Sequence, residues 1–250
     1  TEIEKVISNK TKLIISTSLF GQCANFKSIN NIALKNNLPV LEDAAQSFGA
    51  SHYDKKSCNL TTVATTSFFP AKPLGCYGDG GAIFTNDENL AERINMISKH
   101  GQTKKYEHGL IGVNSRLDTL QAAILLEKLK IFEDEVRKKN KVAEMYKSLF
   151  DEFNLKIYPE ISENNNSVFA QYTCVSEERD NILENLRKDH IPFAIYYPLP
   201  LHQQKAYLNK KITLKNSERL SKIAFSLPMH AYLSEKQVEK IVKSINISLK

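Results

Sequence analysis

The run Leu38-Pro39-Val40-Leu41-Glu42-Asp43 is apolar until its last two residues, which are acidic. It follows a segment, residues 25–37, whose apolar side chains recur at helical spacing. Before that segment, Lys12-Leu13-Ile14-Ile15-Ser16 has the composition of another strand. This strand–helix–strand order predicts an α/β fold with a mostly parallel sheet. Sites in such sheets lie at the carboxyl ends of the strands, which is where Asp43 falls.

The next predicted strand, residues 61–69, leads into Ser67-Phe68-Phe69-Pro70-Ala71-Lys72-Pro73-Leu74-Gly75. A lysine in such apolar surroundings can have a lowered pKa and act as a nucleophilic amine. A strand-end lysine with a carboxylate one βα unit upstream is what a pyridoxal phosphate (PLP) enzyme needs. The amine of Lys72 would form a Schiff base, and Asp43 would keep the pyridine nitrogen protonated. Taken alone, Lys72 could be a surface lysine and Asp43 a helix cap.

A glycine cluster, Gly78-Asp79-Gly80-Gly81, follows the lysine. We interpret it as a hairpin turn whose glycines adopt positive φ. Its spacing differs from the dinucleotide-binding fingerprint and a strand follows it, so a nucleotide-binding glycine loop is not predicted.

The second half of the chain has a different order of predicted helices and strands. Residues 117–150 are strongly helical and are predicted to form two helices or one bent helix. Beyond them the pattern alternates between strands at 169–175 and 192–197 and helices at 179–189 and after Ser234. We therefore expect a PLP-binding large domain at residues 1–149 and a small α+β domain at residues 150–250.

The amino-acid composition excludes several classes of function for this protein. The chain has 250 residues, 42% hydrophobic content and a net charge of +6. Its basic residues are dispersed and lack a nucleic-acid motif, and neither a membrane span nor a secretory signal is present. The four cysteines form no CxxC pair and the six histidines are scattered. We expect a cytoplasmic protein without a metal site, a nucleic-acid partner or a membrane partner.

The motifs in combination indicate a protein family more specifically than any one of them does alone. Four occur in order: Glu42-Asp43-Ala44-Ala45-Gln46-Ser47, Ser67-x4-Lys72, Gly78-Asp79-Gly80-Gly81 and Gly112-x-Asn114-x-Arg116-Leu117-Asp118. This series resembles the sugar-nucleotide aminotransferases of the DegT/StrS type, which are PLP enzymes of aminotransferase fold type I. The resemblance extends over nearly the whole chain.

The resemblance implies a role for each of five residues. Lys72 would bind the cofactor covalently and then move the proton between cofactor and substrate carbons. Asp43 would bond the pyridine nitrogen, Gln46 would lie against the ring and Ser67 would hold the phosphate. Asn114 would reach the phosphate of the neighbouring subunit's cofactor, so the resemblance implies a homodimer with a shared active site.

The resemblance also implies substrate contacts in the second half, at Tyr196, Tyr197, His202 and His230. Tyr196 stands where relatives often have histidine, and a packed aromatic is an equal alternative. Residues 18–22, 57–62 and 68–81 look like one branch of the family, which uses glutamate to aminate C3 of a UDP-linked uronic acid for bacterial surface polysaccharide. A nucleotide-linked 4-keto-6-deoxy sugar is the alternative substrate.

Family members carry a segment before the position equivalent to Thr1, including a turn that grips the cofactor phosphate. We therefore expect these 250 residues alone to bind PLP weakly or not at all. A catalytically silent dimerisation or binding subunit is the remaining alternative.

Overall fold

The computed structural model describes residues 2–207 and 212–249 of the chain. They form two compact units. The first extends to Glu133 and includes Ser162–Ala170; the second contains Asp134–Ile161 and the chain from Gln171 onward. The boundaries between these compact units do not fall between residues 149 and 150. The predicted domain boundary at that position stays a prediction.

In chain order the helices and strands are α1 Glu2–Val6, β1 Ile14–Thr17, α2 Phe26–Lys35, β2 Val40–Asp43, β3 Ser51–His52, β4 Lys55–Lys56, β5 Val63–Ser67, β6 Gly81–Thr85, α3 Glu88–Ser98, β7 Gln102–Lys104, β8 Glu107–His108, α4 Thr119–Glu152, β9 Asn165–Asn166, β10 Tyr172–Val175, α5 Arg179–Lys188, α6 Lys215–Ile223, β11 Ala224–Leu227 and α7 Glu235–Ser248. The first unit contains the elements from α1 to the first part of the long helix α4, and also β9; the second unit contains the rest of α4 and the elements from β10 onward.

The main sheet has the strand order β1-β2-β5-β6. Strands β1, β2 and β5 are parallel and β6 is antiparallel, which confirms the predicted α/β class with a mostly parallel sheet. Thr17, Asp43 and Thr65 are in register across the three parallel strands. The carboxyl ends of these strands therefore meet at one edge of the sheet, as the sequence predicted.

The core of the first unit explains why the elements pack as they do. Helix α2 buries Phe26, Ile29, Ile32 and Ala33, the apolar stripe of its sequence. Phe48 lies at the centre of an aromatic cluster, with ring centroids 5.9 Å from Phe68, 6.2 Å from Phe84 and 5.7 Å from Phe132. This cluster packs the fourth turn of α4, through Phe132, against the sheet.

The second unit is a small α+β body. Strands β10 and β11 pair antiparallel, and Tyr146 of α4 stacks on Tyr172 of β10 with centroids 4.6 Å apart. Its last helix begins with the predicted capping box, in which Ser234 and Gln237 bond each other's backbone.

The stretch predicted as two helices or one bent helix is a single helix, Thr119–Glu152. Two other expectations differ from the structure. The predicted strand at 192–197 is absent from the described structure, where Ala194 alone pairs, with Ser226.

The predicted positive-φ turn at the glycine cluster is also wrong. None of the three glycines adopts positive φ, and they are instead needed for close packing. A Cβ on Gly81 would lie 2.8 Å from the carbonyl oxygen of Thr66, and one on Gly80 would lie 3.0 Å from Cys76 Sγ.

Among the described residues, every helix lacks the combination of length and apolar composition that crossing a membrane requires.

Candidate functional site

Asp43 ends β2 at the carboxyl edge of the sheet. Its Oδ1 accepts a hydrogen bond from the Ala45 amide at 3.1 Å, and its Oδ2 lies 3.4 Å from the Thr17 hydroxyl. The side chain is half-buried, and no ion pair to it is recorded in the part of the chain that the structure describes. A carboxylate has about four acceptor positions, so Asp43 keeps capacity for a further donor such as a protonated ring nitrogen.

Ser67 ends β5 at the same edge. Its Oγ accepts a hydrogen bond from the Phe69 amide at 3.2 Å. The hydroxyl proton is therefore still available to donate, which suits an anionic group such as a phosphate.

Lys72 lies in the turn that follows. Its backbone amide donates to the Phe69 carbonyl at 2.9 Å, and its side chain is half-buried. In residues 2–207 and 212–249 no carboxylate forms an ion pair with its amine. Its amine is thus not held by a carboxylate of the described residues and is free to react with a carbonyl carbon.

The loop that carries Lys72, residues 68–78, is held by side chains that sequence reasoning missed. Cys76 is fully buried, and its thiol donates to the Phe68 carbonyl at 2.9 Å. From α4, Lys128 Nζ donates to the Gly75 carbonyl at 2.5 Å and lies 4.8 Å from the centre of the Tyr77 ring. Gln121 accepts a hydrogen bond from the Tyr77 amide at 2.8 Å. The lysine loop is thus fixed at several points around its turn.

Gln46 and Asn114 have different surroundings. Gln46 is buried, and its Oε1 accepts from the Phe20 amide at 2.7 Å, so it ties the loop after β1 to the turn after Asp43. Asn114 is exposed; its backbone pairs with Lys99, and its Oδ1 accepts from Arg116 Nε at 3.0 Å. The predicted contact of Asn114 with a second subunit stays a prediction.

Glu42 is the buried carboxyl group that sequence reasoning left without a role. It is 0% exposed, its Oε1 accepts from the Ser57 hydroxyl at 2.6 Å, and its Oε2 accepts from the Cys58 amide at 3.0 Å. Burial raises the pKa of Glu42 despite these bonds. Burial, and then the nearby Glu42, raise the pKa of both Cys23 and Cys58 to about 12, so neither thiol is a nucleophile at neutral pH.

The four predicted substrate residues all belong to the second unit. The Tyr196 and Tyr197 rings lie edge to face at 5.6 Å and are 37% and 54% exposed as residues. His202 Nε2 bonds Glu218 Oε1 at 3.0 Å, so this nitrogen is engaged within the unit. His230 is exposed and accepts from the Tyr232 amide at 3.2 Å. Their roles in substrate binding stay predictions.

A separate cavity of about 1010 Å³ lies in the first unit. It is lined by all of β6, by Thr65 and Thr66 of β5, by α3 and by residues 115–117, and the predicted cofactor residues do not line it. Strand β6 is the edge strand of the main sheet and Thr65 pairs with Asp43, so this cavity lies at the sheet's border and adjoins the carboxyl edge.

Comparison with known proteins shows the family to which the chain belongs. Residues 1–246 match the DegT/DnrJ/EryC1/StrS aminotransferase family. The chain is 51% identical over 243 residues to a UDP-2-acetamido-2-deoxy-3-oxo-D-glucuronate aminotransferase of Pseudomonas aeruginosa, covering 97% of this chain and 67% of that protein.

Solved structures agree. The chain matches a DegT DnrJ EryC1 StrS aminotransferase from Brucella abortus with a TM-score of 0.88 and 43% identity, over 94% of this chain and 63% of that one. It matches S. venezuelae DesV, solved in complex with a ketimine intermediate, with a TM-score of 0.94 and 31% identity, over 98% and 67%. The chain thus spans about two thirds of the length of these relatives. With these motifs, this sheet and these matches, the chain belongs to the DegT/DnrJ/EryC1/StrS aminotransferase family.

Proposed function

We propose that the protein transfers an amino group from glutamate to a nucleotide-linked keto-sugar, in a PLP-dependent transamination. The observation that carries the proposal is the shared carboxyl edge of β2 and β5. It brings Asp43 and Ser67 together and is followed directly by the Lys72 turn. A carboxylate, a hydroxyl donor and an amine without an ion pair are the three groups that hold PLP by its ring nitrogen, its phosphate and its aldehyde carbon.

The residues present fit the cofactor. Lys72 would bind it covalently, Asp43 would hold its ring nitrogen, Ser67 would donate to its phosphate and Gln46 would support the ring. When bound, PLP supplies an electron sink that stabilises negative charge on the carbon next to the amino group.

The chain's own groups supply the remaining chemistry. Nζ of Lys72 would accept a proton from the donor's carbon and return one to the sugar carbon, which requires an amine that is neutral for part of the cycle. Asp43 would hold the ring nitrogen with the acceptor positions that remain beside the bonds from the Ala45 amide and the Thr17 hydroxyl. Fixing the Lys72 loop through Cys76 and Lys128 limits the loss of entropy when the amine is positioned.

For the substrate we propose a UDP-linked 3-keto-2-acetamido uronic acid, the compound class that the 51% identical relative is named for. Tyr196, Tyr197, His202 and His230 are the proposed contacts. Asn114 would complete the site of a second subunit in a homodimer. We place the enzyme in the cytoplasm, where it would serve the synthesis of surface polysaccharide such as lipopolysaccharide.

The cofactor assignment is tested by reductive trapping. The protein is incubated with PLP, reduced with borohydride, digested and mapped by mass spectrometry. We expect the phosphopyridoxyl label on Lys72, because reduction fixes even a weak Schiff base. Lys72→Arg should lose this label, and the exposed Lys56→Arg should keep it. Labelling spread evenly over surface lysines would contradict the proposal.

The substrate is tested separately. Glutamate is supplied with either the UDP-linked 3-keto uronic acid or a nucleotide-linked 4-keto-6-deoxy sugar, and the amino-sugar is detected by mass. We expect product from the first only. Product from the second alone would keep the reaction and change the substrate, whereas conversion of neither by a protein that labels at Lys72 would contradict the transamination.

A further inference from the structure

Three loops of the first unit converge beneath the carboxyl edge of the sheet. They are the loop after β1, the turn 43–47 after β2, and the segment 57–60 before β5. Polar side chains join them in the interior, where an unmade hydrogen bond is costly. The mechanism above uses Asp43 and Gln46 from the middle loop but none of the buried groups that hold it.

Glu42 and Ser47 flank those two residues in sequence and are joined to each other through Ser57. Ser57 Oγ donates to Glu42 Oε1 at 2.6 Å and lies 2.7 Å from Ser47 Oγ. A hydroxyl has one proton, so Ser47 must donate to Ser57 if Ser57 donates to Glu42. Both hydroxyl protons thus point in the same direction along this series of hydrogen bonds, toward the Glu42 carboxylate.

The three side chains are well shielded from water. Glu42 and Ser47 are 0% exposed and Ser57 is 5% exposed. Because water cannot replace a broken bond there, the arrangement has few alternatives of similar energy. The backbone reinforces it: the Ser57 amide donates to the Ala50 carbonyl at 2.9 Å, and the Ala50 amide donates to the Ser47 carbonyl at 2.8 Å.

Strand geometry connects this cluster to the site. Successive side chains of a strand point to opposite faces, so Glu42 and Asp43 project from opposite sides of β2. When both oxygens of Glu42 are held, the strand cannot rotate about its axis, and the direction of the Asp43 carboxylate is fixed. The Ser47 bond likewise fixes the far end of the turn that carries Gln46.

We propose that Glu42, Ser57 and Ser47 form a buried positioning cluster that aims Asp43 and Gln46 at the cofactor. The part of the proposal that concerns the cofactor rests on the proposed function. The part that concerns the turn does not, and the two are tested by different measurements.

The first measurement is amide hydrogen exchange in the protein without cofactor. Ser57→Ala removes both hydroxyl bonds and leaves Glu42 Oε1 without its donor. We expect exchange of the amides of residues 44–47 to rise about tenfold, the equivalent of a lost hydrogen bond. Ser244→Ala is the matched control, since Ser244 is equally buried and accepts from Asn185 in the second unit. Unchanged exchange at 44–47 in Ser57→Ala would overturn the cluster.

The second measurement is cofactor affinity, from the extent of borohydride trapping at Lys72 as the PLP concentration is raised, with the visible absorbance of the lysine-bound cofactor read at the highest concentration. We expect the dissociation constant to rise about tenfold in Ser57→Ala, and the band to shift because the ring nitrogen has lost its aligned carboxylate. Ser244→Ala should leave both unchanged even if it lowers the melting temperature. Equal affinity and an equal spectrum in wild type and Ser57→Ala would overturn the positioning role. Absence of a Lys72 label in the wild type would count against the proposed function alone, and hydrogen exchange would still decide the cluster.

The third measurement uses pH. The other titratable groups that influence Glu42 are Cys23 and Cys58, and its neighbour along the strand, Asp43, on the opposite side. Burial raises the pKa of Glu42 above its ordinary value of 4.5, so the folded protein keeps this proton where the unfolded chain has lost it. The contribution of Glu42 to stability is therefore full below about pH 4.5 and is lost as pH rises through the raised pKa. Glutamine can bond Ser57 but cannot ionise, so the melting temperature of Glu42→Gln should gain on that of the wild type as pH rises. A difference that is constant with pH would show that Glu42 does not titrate in the cluster and would overturn the proposal.

Discussion

The residues proposed to hold the cofactor and those proposed to contact the substrate are anchored in different ways. In the first unit the Lys72 loop is held through Cys76, Lys128 and Gln121, and the Asp43 turn by the buried cluster around Glu42. In the second unit Tyr196 and Tyr197 are partly exposed, and the His230 ring accepts a bond from the nearby Tyr232 amide. His202 is the exception, since its ring bonds Glu218 of α6.

The difference follows from what each group must do. A cofactor has one geometry in every turnover, so the groups around it gain from rigid support. Sugar nucleotides must enter and leave, and exposed side chains on loops can adapt to them. If this comparison is right, substitutions that loosen the first region should reduce cofactor binding, and those in the second should act locally.

The largest effect is expected for Gly75→Ala. A Cβ at this position would lie 2.6 Å from the Pro70 carbonyl oxygen and 2.8 Å from that of Phe69, which are backbone atoms with little freedom to move. We expect a loss of about 3 kcal/mol in the free energy of unfolding and loss of the Lys72 label. Chemical denaturation and reductive trapping measure the two.

Gly78→Ala is the control for Gly75→Ala. There the nearest atom is the side-chain amide nitrogen of Gln121 at 2.9 Å, so alanine would displace this side chain and weaken its bond to the Tyr77 amide without a clash against the backbone. A loss of stability as large as that of Gly75→Ala would show that steric contact with the backbone is not what constrains this loop.

Lys128→Met should have a smaller effect on the same loop. Methionine preserves the apolar stem but removes the bond to the Gly75 carbonyl and the contact with the Tyr77 ring. We expect about 2 kcal/mol less stability, since the lost bond has a charged donor. Lys130→Met, which breaks only the exposed pair with Glu127, should change stability by less than about 0.5 kcal/mol. Similar values for the two variants would contradict the anchoring of the lysine loop by α4.

The positions of the strand ends could be predicted from the sequence because they depend on patterns of residues that are close together in the chain. Alternation, apolar runs and caps place Asp43 and Ser67 at the ends of β2 and β5, and parallel strands bring such ends together. Ser234 caps its helix as expected. The lysine followed from the same reasoning, since its turn begins directly after β5.

The supports could not be predicted because their partners are distant in sequence. Glu42 and Ser57 are 15 residues apart, and Lys128 and Gly75 are 53 apart. A buried glutamate next to a functional aspartate looks like any acidic strand end until its donors are known. The role of the glycines was predicted wrongly for the same reason. Gly81 lies close to Thr66 and Gly80 lies close to Cys76, and these contacts rather than a local turn conformation require glycine.

The smallest effect is expected in the second unit, at Glu218. The Leu214 amide donates to Glu218 at 2.8 Å, and this bond, followed by the bond from His202, lowers the pKa of the carboxyl group. Lowering means that the charged form is favoured by folding. The contribution to stability is therefore present above the ordinary pKa of 4.5 and is lost as pH falls through the lowered folded value.

Glu218→Gln should accordingly lower the melting temperature slightly at neutral pH, and the difference from wild type should shrink as pH falls below about 4.5. Glu177→Gln is the control, because Glu177 only forms an exposed pair with Arg219. Cofactor affinity should be unchanged in both variants. A loss of affinity in Glu218→Gln as large as that in Ser57→Ala would break the distinction between the two regions, because it would show that the His202 segment contributes to cofactor binding as strongly as the Asp43 turn.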